Sequence, residues 1–299
     1  MIPPRHALVG VDFSESSRVA LAFAARLMVH SGGELDVLHV QDPLLTEAAR
    51  TAHVNLGAES VEELRRFIAS TPPADSCQAE SLVVCGSPGT TLCNIAAREQ
   101  ADVLVVGAHG MSNAARWLFG SNTERVLRQA PMSVMVVPRT WKPPRPQARD
   151  LSGTGPVIVA IDFTEPAFAA ASAAVRLATL LHTTLTVVHV VPEPRVIERW
   201  TAHANRAISD AIRSAETELT AWLANVRIDV PLRMEVASGD IAESVLRLTR
   251  ANPGRSPLLV LGRRPHDAAE SAPGTVVSRT LAGLSVPLLV VSPPDDALS

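Results

Sequence analysis

The sequence predicts two tandem α/β domains, each an open, doubly wound parallel sheet. Three observations predict it. The 299 residues suffice for two domains of roughly 100–150 residues each. A block repeat runs the length of the chain: Ala7-Leu8-Val9-Gly10-Val11-Asp12-Phe13-Ser14-Glu15 matches Val157-Ile158-Val159-Ala160-Ile161-Asp162-Phe163-Thr164-Glu165 at an offset of 150. Within each copy, short β-branched runs alternate with longer segments of helical period. Continuous apolar runs such as Val103 to Val106 suit parallel strands covered on both faces.

The first strand of each copy ends at an aspartate, Asp12 or Asp162. The first helix follows, with Ser14, Ser16 or Ser17 as its N-cap, and stops near Gly32-Gly33, where glycine accepts a left-handed C-cap. Thr164-Glu165-Pro166 supplies a cap and an early helical proline to its counterpart. The second strand carries Val37-Leu38-His39-Val40, which recurs as Val187-Val188-His189-Val190 at the same offset. Later the offset drifts: Val103 to Gly107 lies over Leu258 to Gly262 at 155, and Val134 to Val137 over Leu288 to Val291 at 154. Between the copies, Pro138 to Pro156 holds five prolines and five charged residues without apolar periodicity, and reads as a semi-rigid linker. The expected division is 1–140, a linker at 141–155, and 156–299, with a separate core in each domain.

Composition removes several functions. A net charge of −3, from 27 basic and 30 acidic side chains, provides no large field for nucleic acid or an anionic membrane. Of the basic residues 26 are arginine, and the single lysine, Lys142, follows no strand-to-helix turn. A Walker-type phosphate loop, a protein kinase or a Schiff-base enzyme would need a lysine in its site. Cys77, Cys85 and Cys93 form no Cys-x-x-Cys pair and are expected to be buried thiols of a reducing compartment. No hydrophobic signal region opens the sequence and no apolar run is long enough to span a bilayer, so the expected location is the cytoplasm. No H-E-x-x-H, G-x-S-x-G or G-x-G-x-x-G occurs. Ser31-Gly32-Gly33-Glu34-Leu35-Asp36 lies after a helix, where the phosphate loop of adenylating enzymes would precede one, and reads as a helix stop.

Ligands of such sheets bind beyond the carboxyl ends of the strands, which singles out the turns after Asp12, Val40 and Val106. The last reads Gly107-Ala108-His109-Gly110, then nine residues, then Gly120-Ser121-Asn122. Glycines there permit close backbone approach, successive amides can cradle phosphate, and a helix opening at Gly120-Ser121 would offer its N-terminal amides to an anion.

These residues resemble the universal stress protein family, whose nucleotide-binding members carry G-x2-G-x9-G-[ST] after the fourth strand. Gly107, Gly110, Gly120 and Ser121 fit that spacing, and the likeness covers nearly the whole chain as a tandem pair. The resemblance implies an adenine nucleotide alpha hydrolase-like fold with ATP bound as a regulatory ligand in the stress response. Asp12 and the Val40 backbone would face adenosine. Gly107, Ala108, His109, Gly110, Gly120, Ser121 and Asn122 would surround ribose and phosphates, with Mg²⁺ or Mn²⁺ as an optional bridge. It also implies a pseudo-two-fold pair of domains joined along their last strands, leaving open a further homodimer and unknown protein partners.

The second copy departs from the pattern. It reads Gly262-Arg263-Arg264-Pro265, then eight residues, then Gly274-Thr275. Pro265 stands in the place of Gly110, removing an amide and fixing φ, so this copy is expected to be degenerate, with Arg263 and Arg264 a residual option for holding an anion. Other roles stay open: Asp12 as a helix cap, Ser121-x-x-Glu124 as a capping box, His39 and His189 as packing residues, and Trp117-Leu118-Phe119 as core or interface. A nucleotide-free interaction protein and a slow ATP hydrolase are the alternative functions.

Overall fold

A computed structural model of the chain describes residues 4–77, 79–109, 120–193, 201–251, 255–263 and 275–292. The first half runs β1 (His6–Val11), α1 (Glu15–Ser31), β2 (Glu34–Gln41), α2 (Pro43–Thr51), α3 (Leu56–Ala69), β3 (Ala79–Cys85), α4 (Pro88–Arg98), β4 (Val103–Gly107), α5 (Ser121–Gln129) and β5 (Ser133–Val137). The second runs β6 (Val157–Ile161), α6 (Glu165–Leu180), β7 (Leu185–Val191), α7 (Thr201–Leu223), β8 (Leu232–Ser238), α8 (Ile241–Arg250), β9 (Leu258–Gly262), α9 (Thr275–Ala282) and β10 (Leu288–Val291). Each is an open parallel sheet wound on both faces, as the repeat predicts.

The two sheets are one. Strand order is β3-β2-β1-β4-β5-β10-β9-β6-β7-β8. The central pair, β5 with β10, is antiparallel, Leu288 facing Val136, Leu289 facing Met135 and Val290 facing Val134. Neighbours within each half are parallel. The expected separate cores are therefore replaced by two continuous layers. Alternation along the strands sends Val9, Val105, Met135, Val159 and Leu289 to the face covered by α1, α3, α6 and α7. Leu8, Leu104, Val136, Ile158 and Leu288 go to the face covered by α4, α5, α8 and α9. On the first face, α1 and α6 meet where His30 Nε2 donates to the Leu180 carbonyl at 2.9 Å, a contact between repeat-equivalent positions.

Local signals explain the helix ends. Ser14 caps α1 by accepting from the Ser17 amide at 3.2 Å, and Gly32 closes it at φ 67°. Thr164 holds the N-cap position of α6, yet its hydroxyl donates to Asp162 instead of capping. Pro166, within the first two helical positions, has no amide to offer it.

Two expectations are made more specific. The semi-rigid linker 141–155 does not run loose over the surface: Trp141, Leu151 and Thr154 are buried, and Trp141 packs edge-on against Phe23 at 5.1 Å. Isolated anchors of this kind leave no periodic signal. Nor are all three thiols buried. Cys93 is, and burial pushes it up to about 11. Cys77 is half-buried and Cys85 is exposed at the end of β3, an edge strand with one side toward solvent.

Two outcomes follow from this packing. Brief alkylation of the native protein, read by mass spectrometry, labels Cys85 and spares Cys93. Residues 1–140 alone expose the β5 edge, so the fragment self-associates in sedimentation velocity, whereas a concentration-independent monomer would show that the edge tolerates solvent.

Candidate functional site

At the carboxyl ends of β1, β2 and β4 the chain opens into a cavity of about 480 Å³, where an open α/β sheet places its ligand. Asp12, Val40, Gly107, His109, Gly120, Ser121 and Asn122 all line it. Gly110 and the segment through Phe119, including Trp117, lie outside the described residues.

The β1 end is a fixed turn. Asp12 Oδ1 accepts from the Ser14 amide at 3.1 Å and from the Ser14 hydroxyl at 2.6 Å. Asp12 is thus not the helix cap; it orients Ser14, which is. Phe13 takes a left-handed φ of 64°, and Phe163 does the same at 60°, a conformation that costs an L-residue of order 1 kcal/mol or more and needs a surrounding that enforces it. Each phenyl ring packs on a histidine, Phe13 on His39 at 4.4 Å and Phe163 on His189 at 4.5 Å. Each histidine places Nδ1 against the carbonyl ending its first strand, Val11 at 2.8 Å and Ile161 at 3.0 Å. The identical arrangement in both copies makes the histidines parts of the turn.

The β2 end runs past β1. The register stops at Val11 opposite His39, while β2 continues to Gln41. The Gln41 carbonyl accepts from the Gly86 amide on the β3 side. By strand alternation the backbone groups of Val40 face the other way, toward the space beyond β1.

The β4 turn differs most from expectation. A Cβ on Gly107 would lie 2.5 Å from Ser16 Oγ, and one on Gly262 would lie 2.5 Å from the Pro166 carbonyl oxygen. This glycine is thus required in both copies by the approach of α1 or α6, whatever fills the cavity. The cradle of amides is also partly closed, because three of them fasten the turn to its surroundings. The Ala108 amide donates to the Val137 carbonyl at 3.0 Å, the His109 amide to Ser16 Oγ at 3.3 Å, and the Gly120 amide to the Ala108 carbonyl at 3.1 Å. Ala108 is buried and lies outside the lining.

Among the described residues, the amides open to a ligand belong to α5. Its N-cap is Gly120, which has no side chain to cap the first turn, so Ser121 and Asn122 present their amides at the cavity wall with the helix dipole behind them. Ser121 is already helical, so Ser121-x-x-Glu124 is no capping box; Glu124 pairs with Arg128 at 3.1 Å. Thr123 Oγ1, donating to the Gly107 carbonyl at 2.8 Å, fixes α5 to the end of β4.

The second copy keeps the packing, with a smaller cavity among its described residues. Its cavity is about 180 Å³, lined by Asp240 and Arg279 among others, and these two form an ion pair. The first copy has Arg125 bonded to Ser87 there, at 2.8 Å. Hydrogen bonding from the Glu243 amide, with help from Arg279, holds the Asp240 carboxyl below its ordinary range, so a carboxylate faces any anion that enters. Arg263 is engaged within the protein. Its guanidinium crosses to the first half and donates to the carbonyls of Leu127 and Ala130 at the C-terminus of α5, and to Ser292 Oγ at 2.7 Å. Arg264, Pro265 and Gly274 lie outside the described residues.

Sequence reasoning missed Gln41, Ser60 and Leu56, which wall the β2 end. The one signal for them was a polar residue closing a buried strand where the second copy has Val191.

A tandem open-sheet α/β protein with a roomy strand-end cavity in its first half is what fold and site define. The family model of the universal stress protein family matches residues 4–138 and again 154–292; the chain belongs to that family. It is similar to universal stress protein MJ0577 of Methanocaldococcus jannaschii, 26% identical over 151 residues, 44% of this chain and 93% of the relative. It is also similar to universal stress protein Rv1636 of Mycobacterium tuberculosis, 35% identical over 97 residues, 32% of this chain and 53% of the relative. A universal stress protein structure from Archaeoglobus fulgidus matches 96% of this chain and 98% of its own with a TM-score of 0.67 at 20% identity, a likeness of fold. No helix among the described residues is long and apolar enough to cross a membrane.

Arg263 gives the site a stability test. Arg263→Ala removes charge-assisted bonds to two buried helix-end carbonyls and lowers the urea-unfolding free energy by about 1.5–3 kcal/mol. Arg263→Lys recovers only part of it, since an ammonium cannot fork between two carbonyls.

Proposed function

We propose that the first half binds ATP as a regulatory ligand, one molecule per chain, and that the second half serves as a nucleotide-free structural partner. The observation that carries this reading is the asymmetry between the copies. The copy with G-x2-G-x9-G-S also has the larger cavity, flanked by an uncapped helix N-terminus. Among the described residues, the copy with Pro265 has a smaller cavity lined by a carboxylate–arginine pair. The Ser121 and Asn122 amides suit phosphate oxygens, and the apolar β2 end, with Leu38, Val40 and Leu56, suits a base.

Among the described residues no three His, Cys, Asp or Glu side chains gather to hold a metal ion. A Mg²⁺ or Mn²⁺ ion would thus take its oxygen ligands chiefly from the phosphates and water.

Titration calorimetry is expected to give about one ATP per chain. Two equal sites would overturn the assignment of the second half. Gly110→Pro, which copies Pro265 into the first half, is expected to abolish binding with an unchanged circular dichroism spectrum, and unchanged affinity would move the phosphates away from this loop. A Gly107 variant is the wrong probe, because the added Cβ strikes α1.

A further inference from the structure

Gln41 is the last residue of β2, only 6% exposed, and lines the cavity. Its Nε2 donates to the Leu56 carbonyl at 3.1 Å and to Ser60 Oγ at 2.7 Å. A carbonyl can only accept, so Leu56 fixes which end of the amide faces α3. Oε1 is left on the other side. Among the described residues no group donates to it. Asp42, next along the chain, is engaged as the N-cap of α2, accepting from the Leu44 amide at 2.7 Å. Gln41 therefore offers a cavity ligand an acceptor that no described residue occupies, held in place by two bonds.

We infer that Gln41 selects the base: Oε1 accepts a hydrogen bond from an exocyclic amino group, so the cavity takes a 6-aminopurine in preference to a 6-oxopurine. The inference rests on the nucleotide reading above. A 6-oxo group would set two acceptors against each other in a nearly buried place, leaving both unsatisfied, and such mismatches discriminate strongly. The repeat supplies the internal comparison. Val191 stands at the equivalent position in the second half, so the copy with the small cavity also lacks the acceptor.

The test compares the full-length protein with Gln41→Met, similar in length and without an amide, against ATP, its 6-oxo analogue ITP, and the 6-unsubstituted purine riboside triphosphate. Wild type is expected to bind ITP at least roughly tenfold more weakly than ATP, with the 6-unsubstituted compound between them. In Gln41→Met the ATP-to-ITP ratio narrows to within about threefold. Should that variant fail to fold, Ser60→Ala leaves the amide in place, removes one of its two anchors, and is expected to narrow the ratio in the same direction. Wild type binding ATP and ITP equally, or a ratio untouched by the variants, overturns the role of Gln41 and leaves the ATP site standing. Binding of none of the three to wild type overturns both.

Discussion

The antiparallel pairing of β5 with β10 is the contact on which the rest of this molecule depends. Each is the last strand of its half and apolar on both faces, so alone it would leave a row of unpaired backbone groups beside exposed valine and methionine. Joining the two edges satisfies both at once. Because alternate residues go to opposite faces, it also merges the core of each half with that of the other: Met135 and Val137 join Leu289 and Val291 on one side, Val134 and Val136 join Leu288 and Val290 on the other. Antiparallel pairing follows from two like edges meeting across a two-fold axis, and the His30–Leu180 contact between repeat-equivalent residues lies where such an axis brings the first helices together.

The repeat made the architecture legible, since strands buried on both faces announce themselves as apolar runs and a copied order implies a copied topology. The location of the cavity was legible for the same reason: strand ends in an open sheet are where ligands go, and Asp12, Val40 and Asn122 do line one wall or another. What could not be read was which partner each residue serves. Gly107 fits a phosphate loop and also fits a helix that must approach within contact distance of the strand, and sequence does not distinguish them. The presence of the same close approach at Gly262, in the copy without the roomy cavity, does. Likewise the amides of Ala108, His109 and Gly120 are donors on paper, and only the coordinates show them engaged by Val137, Ser16 and Ala108.

Comparing the copies separates requirements of the fold from features of the cavity. Phe13 and Phe163, His39 and His189, Gly107 and Gly262 keep the same geometry in both halves, so the scaffold demands them. Gly10 is different. A Cβ there would sit 2.9 Å from the Leu92 methyl groups, whereas the second half accepts Ala160. Leu92 lines the large cavity and leans onto β1 only because Gly10 has no side chain. Gln41 against Val191, and Ser87 against Asp240, belong to the same class of difference. These divergent positions cluster at the strand-end cavity of the first half and its smaller counterpart in the second.

Arg263 shows that the divergence is not merely loss. At the place where the first half has the buried Ala108, the second half carries an arginine whose guanidinium crosses the β5–β10 seam to the carbonyls of Leu127 and Ala130. Ser292 braces the same crossing, accepting from Arg263 and donating to the Met132 carbonyl at 2.9 Å. Those carbonyls end the helix whose first-turn amides face the cavity. A cation at one end and the cavity at the other use the same dipole in the same sense, since positive charge is favoured at a helix C-terminus and negative charge at its N-terminus. Thr123 ties the N-terminal turn to β4 while Arg263 ties the C-terminal turn to the partner half. The cavity wall is therefore held from both halves, and the second half contributes to it through the helix it caps.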